Sequence, residues 1–226
     1  MEYLEYIILA ILAIIIIAIF SCFRPHKTEK IADNLYTVNC LFVNFYILKL
    51  KEKIVVFDTG INAILAKRGL KKLGISPNDV THIFLTHSDG DHAGGISAFS
   101  NASLFLPKEE EQMINGTKAR RFIIYNKKPK KEYHLLSNND ILNIDGTIVK
   151  IVFAPGHTPG SSIYVIDDKV CVSGDLLRIT RKGNLTQFMR MMNMNHKENL
   201  DSLNEKLDLL NSMKRILSGH TGILNK

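Results

Sequence analysis

Cysteine is scarce in this chain: three residues, Cys22, Cys40 and Cys171, with no CxxC pair among them. That excludes a disulfide scaffold and a zinc finger. Internal repeats are lacking, and so are low-complexity tracts beyond one apolar run near the start. With 46% hydrophobic and 23% charged residues, the composition excludes a disordered, collagen-like or coiled-coil protein. A length of 226 residues suits one domain, or at most two small ones. Basic residues exceed acidic ones by 29 to 22, a formal net charge of +7. That excess suggests nucleic acid, an anionic membrane or an anionic substrate, depending on where it sits.

From Tyr6 to Phe20 the sequence is unbroken apolar, and Leu4 to Phe23 carries Glu5 as its single charge. A helix of about 20 apolar residues spans a bilayer core. No polar face recurs at helical spacing, which argues against a buried core helix. A signal peptide should start basic, yet Glu2 and Glu5 precede the run and no Lys or Arg does. Residues 1–23 are therefore expected to form one transmembrane helix, and 24–30 a juxtamembrane linker. Arg24, Lys27 and Lys30 follow the run, so the positive-inside rule places the remainder, 31–226, in the cytoplasm as a single-pass membrane protein.

After Ile31 the pattern changes to short strands. Leu35–Cys40, Asn44–Leu50 and Lys53–Asp58 alternate or run apolar. Asn62 to Leu73 has helical spacing, ended by Gly74 and Pro77. Thr81–Thr86 and Ala102–Leu106 read as strands, with a short helix after Pro107. Ile148–Phe153, Ser162–Ile166 and Val170–Ser173 form a second run of strands. Lys197–Leu210 reads as one amphipathic helix with Leu200, Leu203, Leu207 and Leu210 in a stripe, before a last strand, Lys214–Leu217. Strands in two halves, each followed by helix, suggest two packed sheets covered by helices.

The decamer Thr86-His87-Ser88-Asp89-Gly90-Asp91-His92-Ala93-Gly94-Gly95 directly follows a strand. Its two His and two Asp would be costly to gather in a Gly-rich loop unless they meet a cation. Three further loops repeat the arrangement: Ala154-Pro155-Gly156-His157-Thr158-Pro159-Gly160, Ser173-Gly174-Asp175, and Ser218-Gly219-His220-Thr221-Gly222. One His beside a Gly is usually just a turn. Four strand-end loops bearing seven ligand-type side chains make a specific signal.

These motifs, in this order, together with Phe57-Asp58-Thr59-Gly60, resemble the metallo-β-lactamase superfamily from about Ile31 to the C-terminus. The resemblance implies an α/β fold, a four-layer αβ/βα sandwich with a binuclear metal site at one edge of its sheets, here preceded by the transmembrane helix. It implies that 31–226 is the catalytic domain. His87, Asp89 and His157 would bind the first metal. Asp91, His92 and His220 would bind the second. Asp175 would bridge both, and Asp58 would brace the ligand loop. The usual HxHxDH motif here reads HxDxDH, with Asp89 in place of His.

Two divalent metal ions are thus expected, zinc being commonest in the family. Asp89 lowers the charge of the centre by one, which favours a harder cation such as iron or manganese. The activity implied is hydrolysis of an ester, thioester, lactone or phosphoester of a small substrate by a metal-bound hydroxide, with Asp91 as the catalytic residue that orients the nucleophile or passes a proton. Two alternatives remain: an iron-dependent oxygenase-type member, and a metal-binding, non-catalytic module tethered to the membrane. Met189, Met191, Met192 and Met194 cluster around Arg190 and read as a loop or short helix packed on the core, with an adaptable substrate wall as the sharper alternative.

The charge excess is local. Lys118, Arg120, Arg121, Lys127, Lys128, Lys130 and Lys131 fall in an acid-free stretch, and without them the 29 basic residues equal the 22 acidic ones. Phe122, Ile123, Ile124 and Tyr125 interleave them. A solvated loop is the plain expectation. The sharper one is a cap over the metal site or a contact of 118–131 with anionic lipid. Set beside the expected membrane helix, this points to lipid headgroups or an anionic substrate rather than to nucleic acid.

Overall fold

The computed structural model describes residues 3, 5–11 and 22–226. Most of the expected transmembrane helix therefore lies outside the described residues. Among the described residues, no helix is long and apolar enough to cross a membrane; 5–11 are helical and exposed.

The first sheet has seven strands that lie side by side in chain order. They are β1 (Glu29–Lys30), β2 (Leu35–Cys40), β3 (Val43–Lys49), β4 (Ile54–Phe57), β5 (His82–Phe84), β6 (Ser103–Pro107) and β7 (Tyr133–Leu136). The pairs from β1 to β4 are antiparallel, and those from β4 to β7 are parallel. The second sheet contains β8 (Ile141–Ile144), β9 (Thr147–Phe153), β10 (Ser162–Ile166), β11 (Val170–Gly174), β14 (Arg215–Ser218) and β15 (Gly222–Asn225). Its spatial order is β15-β14-β11-β10-β9-β8. A separate ribbon pairs β12 (Leu177–Ile179) with β13 (Leu185–Gln187).

Period-two alternation explains the layers. In β3, Tyr46 and Leu48 face the second sheet, where they meet Tyr164, Ile166, Val172 and Leu217. Phe45 and Ile47 point the other way, towards Ala66 and Leu70 of helix α1 (Ala63–Lys72). In β10, Tyr164 and Ile166 face the first sheet, while Ile163 and Val165 meet Leu203 and Leu210. Both sheets are thus buried on both faces, which is why their central strands are apolar throughout. The layers run helix, sheet, sheet, helix.

Local chemistry sets the helix ends. Asn62 caps α1 by accepting from the Leu65 amide at 2.9 Å. The expected helix over Lys197–Leu210 is two helices, α4 (His196–Glu205) and α5 (Leu207–Ser212), capped at the start by Asn195. Leu203 and Leu210, on either side of the break at Lys206, are buried, while Leu200 is 41% exposed. Two one-turn helices, α2 (Gly90–Ala93) and α3 (Glu111–Ile114), lie near the sheet edge. The strands β7, β8 and β15 were not expected from the sequence. Leu135 and Ile141 in the first two are exposed, so period-two burial marks these strands weakly.

Candidate metal centre

Strand direction gathers the loops. β4 and β5 run parallel, so Asp58 and His87 leave the first sheet at one edge. β9 and β11 both run antiparallel to β10, and β14 runs parallel to β11. The loops carrying His157, Asp175 and His220 therefore leave the second sheet at one edge. Close backbone approach is part of the design. A Cβ on Gly94 would meet the Ile61 carbonyl oxygen at 1.9 Å, so α2 can sit on the turn after β4 only with glycine there.

All seven expected ligands converge. Their donor atoms form three groups, each within 4.8 Å: His87, His92 and Asp175; His87, Asp89 and His157; and Asp91, His92 and His220. Asp175 lies between the halves. Its Oδ2 is 3.4 Å from His157 Nε2 and 3.2 Å from His220 Nε2, and its Oδ1 is 3.4 Å from His92 Nε2. Asp91 Oδ2 lies 3.3 Å from His220 Nε2, and Asp89 Oδ2 lies 3.2 Å from His157 Nε2. His87, His92, His157, Asp175 and His220 are buried, whereas the Asp91 side chain is 26% exposed. Asp91 is thus the group with access to solvent.

The surrounding shell fixes every imidazole. His92 Nδ1 donates to Asp58 Oδ2 at 2.8 Å, and His220 Nδ1 donates to the Phe42 carbonyl at 2.7 Å. His157 Nδ1 donates to Asn193 Oδ1 at 3.0 Å. Thr86 spends its hydroxyl proton on Asp58, so its Oγ1 accepts from His87 Nδ1 at 3.0 Å. With all four Nδ1 atoms tied to outer partners, all four Nε2 atoms face one another. Outer partners that set the tautomer in this way are the usual support of metal-binding histidines.

Charge within the cluster shifts its titration strongly. Burial alone would raise the Asp175 carboxyl, but His220 and His92 hold it well below the ordinary range. Burial opposes protonation of His220, yet Asp175 beside it pushes it up to about 9. His92 is likewise raised by Asp175 and Asp58 against the effect of burial. Burial, reinforced by its two histidine neighbours, depresses His87 well below the usual value. Asp89 is held low despite burial, first by His157 and further by His87 and Arg120.

The residues fit a metal. His87 Nε2 and Asp175 Oδ1 are buried without a hydrogen-bond partner among the described residues. Orphaned acceptors in a low-dielectric interior are costly unless a cation meets them. Gly219 leaves the room: a Cβ there would lie 2.7 Å from Asp175 Oδ1 and 2.8 Å from His92 Cε1.

Several participants were not singled out from the sequence. Glu110, fully buried, accepts from the Ser88 amide and hydroxyl at 2.8 and 2.7 Å, from the Thr158 hydroxyl at 2.7 Å and from the Gly160 amide at 3.1 Å. It clamps the first ligand loop to the His157 loop. It was invisible because it stands in Lys108-Glu109-Glu110-Glu111, which reads as solvated charge. Arg120 and Asn126 reach Asp89 out of the basic segment, the one sequence signal that pointed there. Rings of Phe23, Phe42 and Phe188 surround His220, with centroids at 4.8, 5.9 and 5.3 Å. The methionine cluster is a short helical turn, Arg190–Met192, with Met189 and Met194 half-buried beside it and Met191 exposed. Met189 and Met191 line a cavity of about 550 Å³ with Asn193 and His196. A second cavity of about 390 Å³ lies between Ser88, Gly90 and Phe99 on one side and Lys127, Lys128 and Lys131 on the other.

Residues 38–220 match the metallo-beta-lactamase superfamily. The chain belongs to that superfamily. Over 186 residues it is 30% identical to the probable metallo-hydrolase YqgX of Bacillus subtilis, covering 78% of this chain and 84% of that protein. It is also 30% identical over 103 residues to an N-acyl homoserine lactonase of Bacillus cereus, covering 43% of this chain and 37% of the lactonase. A solved metallo-beta-lactamase family protein from Thermus thermophilus shares the fold, with a TM-score of 0.67 at 22% identity over 86% of this chain and 75% of that one. The protein is a metallo-hydrolase of this superfamily, whose members bind divalent metals, typically two.

Proposed function

We propose that this superfamily hydrolase cleaves an ester, thioester, lactone or phosphoester bond in a small anionic substrate, with His87, Asp89, His157, Asp175, Asp91, His92 and His220 lining its metal centre. The observation that carries the reading is the convergence of four outward-tethered histidines on three carboxylates, with Asp175 between the halves. When bound, the metal supplies an activated water and polarises the oxygen under attack. Asp91, the most exposed of the carboxylates, would orient an attacking water and accept its proton. The buried imidazoles exclude bulk solvent from the other side. Likeness to the N-acyl homoserine lactonase gives lactones a place on the first panel to try.

The two cavities, lined by neighbours of the ligands (Asn193, and Ser88 with Gly90), offer places for an apolar body and an anionic group of a substrate. One has a methionine wall and the other a lysine rim. Imidazole and carboxylate donors suit zinc and iron. The charge argument for iron or manganese weakens here, because Arg120 restores beside Asp89 the positive charge that Asp89 removes.

The same reading places the domain on a membrane tether at 1–23, on the cytoplasmic side, with 118–131 near anionic lipid. Supporting it, the residues just after the apolar run dock at the centre itself. The Arg24 amide donates to the His220 carbonyl at 2.8 Å, and Phe23 packs on the His220 ring. Phe122 and Ile123, 95% and 87% exposed among lysines, have the character of an interfacial segment. Carbonate-resistant membrane association, lost on deletion of 1–21, is the expected result for the tether.

The decisive experiment uses the full chain in mild detergent, loaded with metal, on aryl ester, thioester, lactone and phosphodiester reporters. At least one should turn over, and Asp91→Ala should lower its kcat/KM by roughly 10²–10⁴-fold. A fully metallated protein with no turnover on the whole panel would instead be a metal-binding module.

A further inference from the structure

The two halves of the centre are not equivalent. In the half built from Asp91, His92 and His220, the ligand atoms make hydrogen bonds and ion pairs only with one another and Asp175 among the described residues. In the half built from Asp89 and His157, a protein cation already stands among the ligands. Arg120 Nε donates to both Asp89 oxygens, at 2.9 and 2.8 Å, and its Nη2 lies 3.2 Å from His157 Nε2. Since His157 Nδ1 gives its proton to Asn193, Nε2 is the lone pair, and Arg120 donates to it. The arginine thus engages two of the three ligand groups of this half, Asp89 and His157, while His87 Nε2 keeps no hydrogen-bond partner among the described residues.

The contact is built into the fold. The Arg120 side chain is 11% exposed and that of Asp89 15%. Arg120 Nη2 also donates to the Met192 carbonyl at 2.6 Å, and its amide donates to the Ile124 carbonyl at 2.7 Å. Asn126 adds a donor to Asp89 Oδ1 at 3.3 Å. Asp89 is therefore saturated by protein donors and neutralised, whereas Asp91 and Asp175 face no Lys or Arg within ion-pairing distance among the described residues. A dication and a guanidinium sharing one carboxylate and one imidazole repel strongly at such range.

We propose that this protein holds one divalent ion tightly, in the Asp91–His92–His220–Asp175 half, and that Arg120 stands in place of the second. The inference deepens the reading of the site as a metal centre and rests on it. Arg120 Nη1 is buried without a hydrogen-bond partner, so a charged donor remains for an oxygen of the substrate. Arg120 would then read the anionic group that the lysine-rimmed cavity also favours.

The test is metal stoichiometry, not activity. Wild-type protein, saturated with zinc and dialysed against metal-free buffer, should retain one ion per chain by elemental analysis. Arg120→Gln, neutral and similar in reach, should retain two, with the second site tightened at least roughly tenfold in a chelator competition. Arg120→Lys, which keeps the charge, should stay near one, and circular dichroism reports whether each variant is folded. Two ions retained by wild type, or an unchanged stoichiometry in a folded Arg120→Gln, would overturn the proposal while leaving the metal centre intact. No retained metal in wild type would overturn both.

Discussion

Single residues in this centre act mostly by what they leave free. Asp58 is no ligand, yet it accepts from His92 Nδ1, from the Thr86 amide at 2.8 Å and from the Thr86 hydroxyl. It fixes one imidazole directly and a second, His87, through the threonine. Asp58→Ala should therefore weaken metal binding by roughly 10–100-fold, the usual effect of removing such an outer partner. Chelator competition on the folded variant measures it. Gly219 acts by having no side chain. Gly219→Ala would press a methyl group against Asp175 and His92, so metal retention should fall while far-ultraviolet circular dichroism stays native.

At the scale of elements, the centre depends on two sheets offering their loops at a shared edge. Glu110 ties those loops together, just ahead of α3. Burial raises the pKa of its carboxyl, against the pull of the donors from Ser88 and Thr158. Glu110→Gln would turn an amide donor towards donors and leave at least one of them unpaired. Each buried orphan costs about 1–3 kcal/mol. Urea unfolding should show a loss of at least that size. The sequence revealed the strands that carry the ligands, because a strand buried on both faces is a continuous apolar run, as in β10. It did not reveal the break at Lys206, nor β7 and β8. There, contacts with other elements decide the structure and local periodicity is weak.

For the whole molecule, folding and metal are linked. Four imidazoles and three carboxylates are held together at a cost that the ion offsets, so metal should stabilise the native state by mass action. An ion present at a hundred times its dissociation constant adds about 2.7 kcal/mol. Stripping the metal with a chelator should lower the thermal midpoint, and adding zinc back should restore it. The two core thiols report on packing. Burial pushes Cys40 up to about 11 and Cys171 to about 12, so neither should react with a thiol reagent at pH 8 until the domain unfolds.

The sequence by itself marked the seven candidate ligands, because they stand in four glycine-containing loops that each follow an apolar strand, a pattern that ordinary surface loops do not repeat four times. It also determined the layered fold, since runs buried on two faces need partners on both sides. Only the tertiary structure decided what surrounds the ligands. Glu110 became a buried clamp, and Arg120 moved from a charge count to a contact with Asp89. Both roles depend on loops distant in sequence meeting in space, and a charged side chain carries no local mark of which partner it will meet.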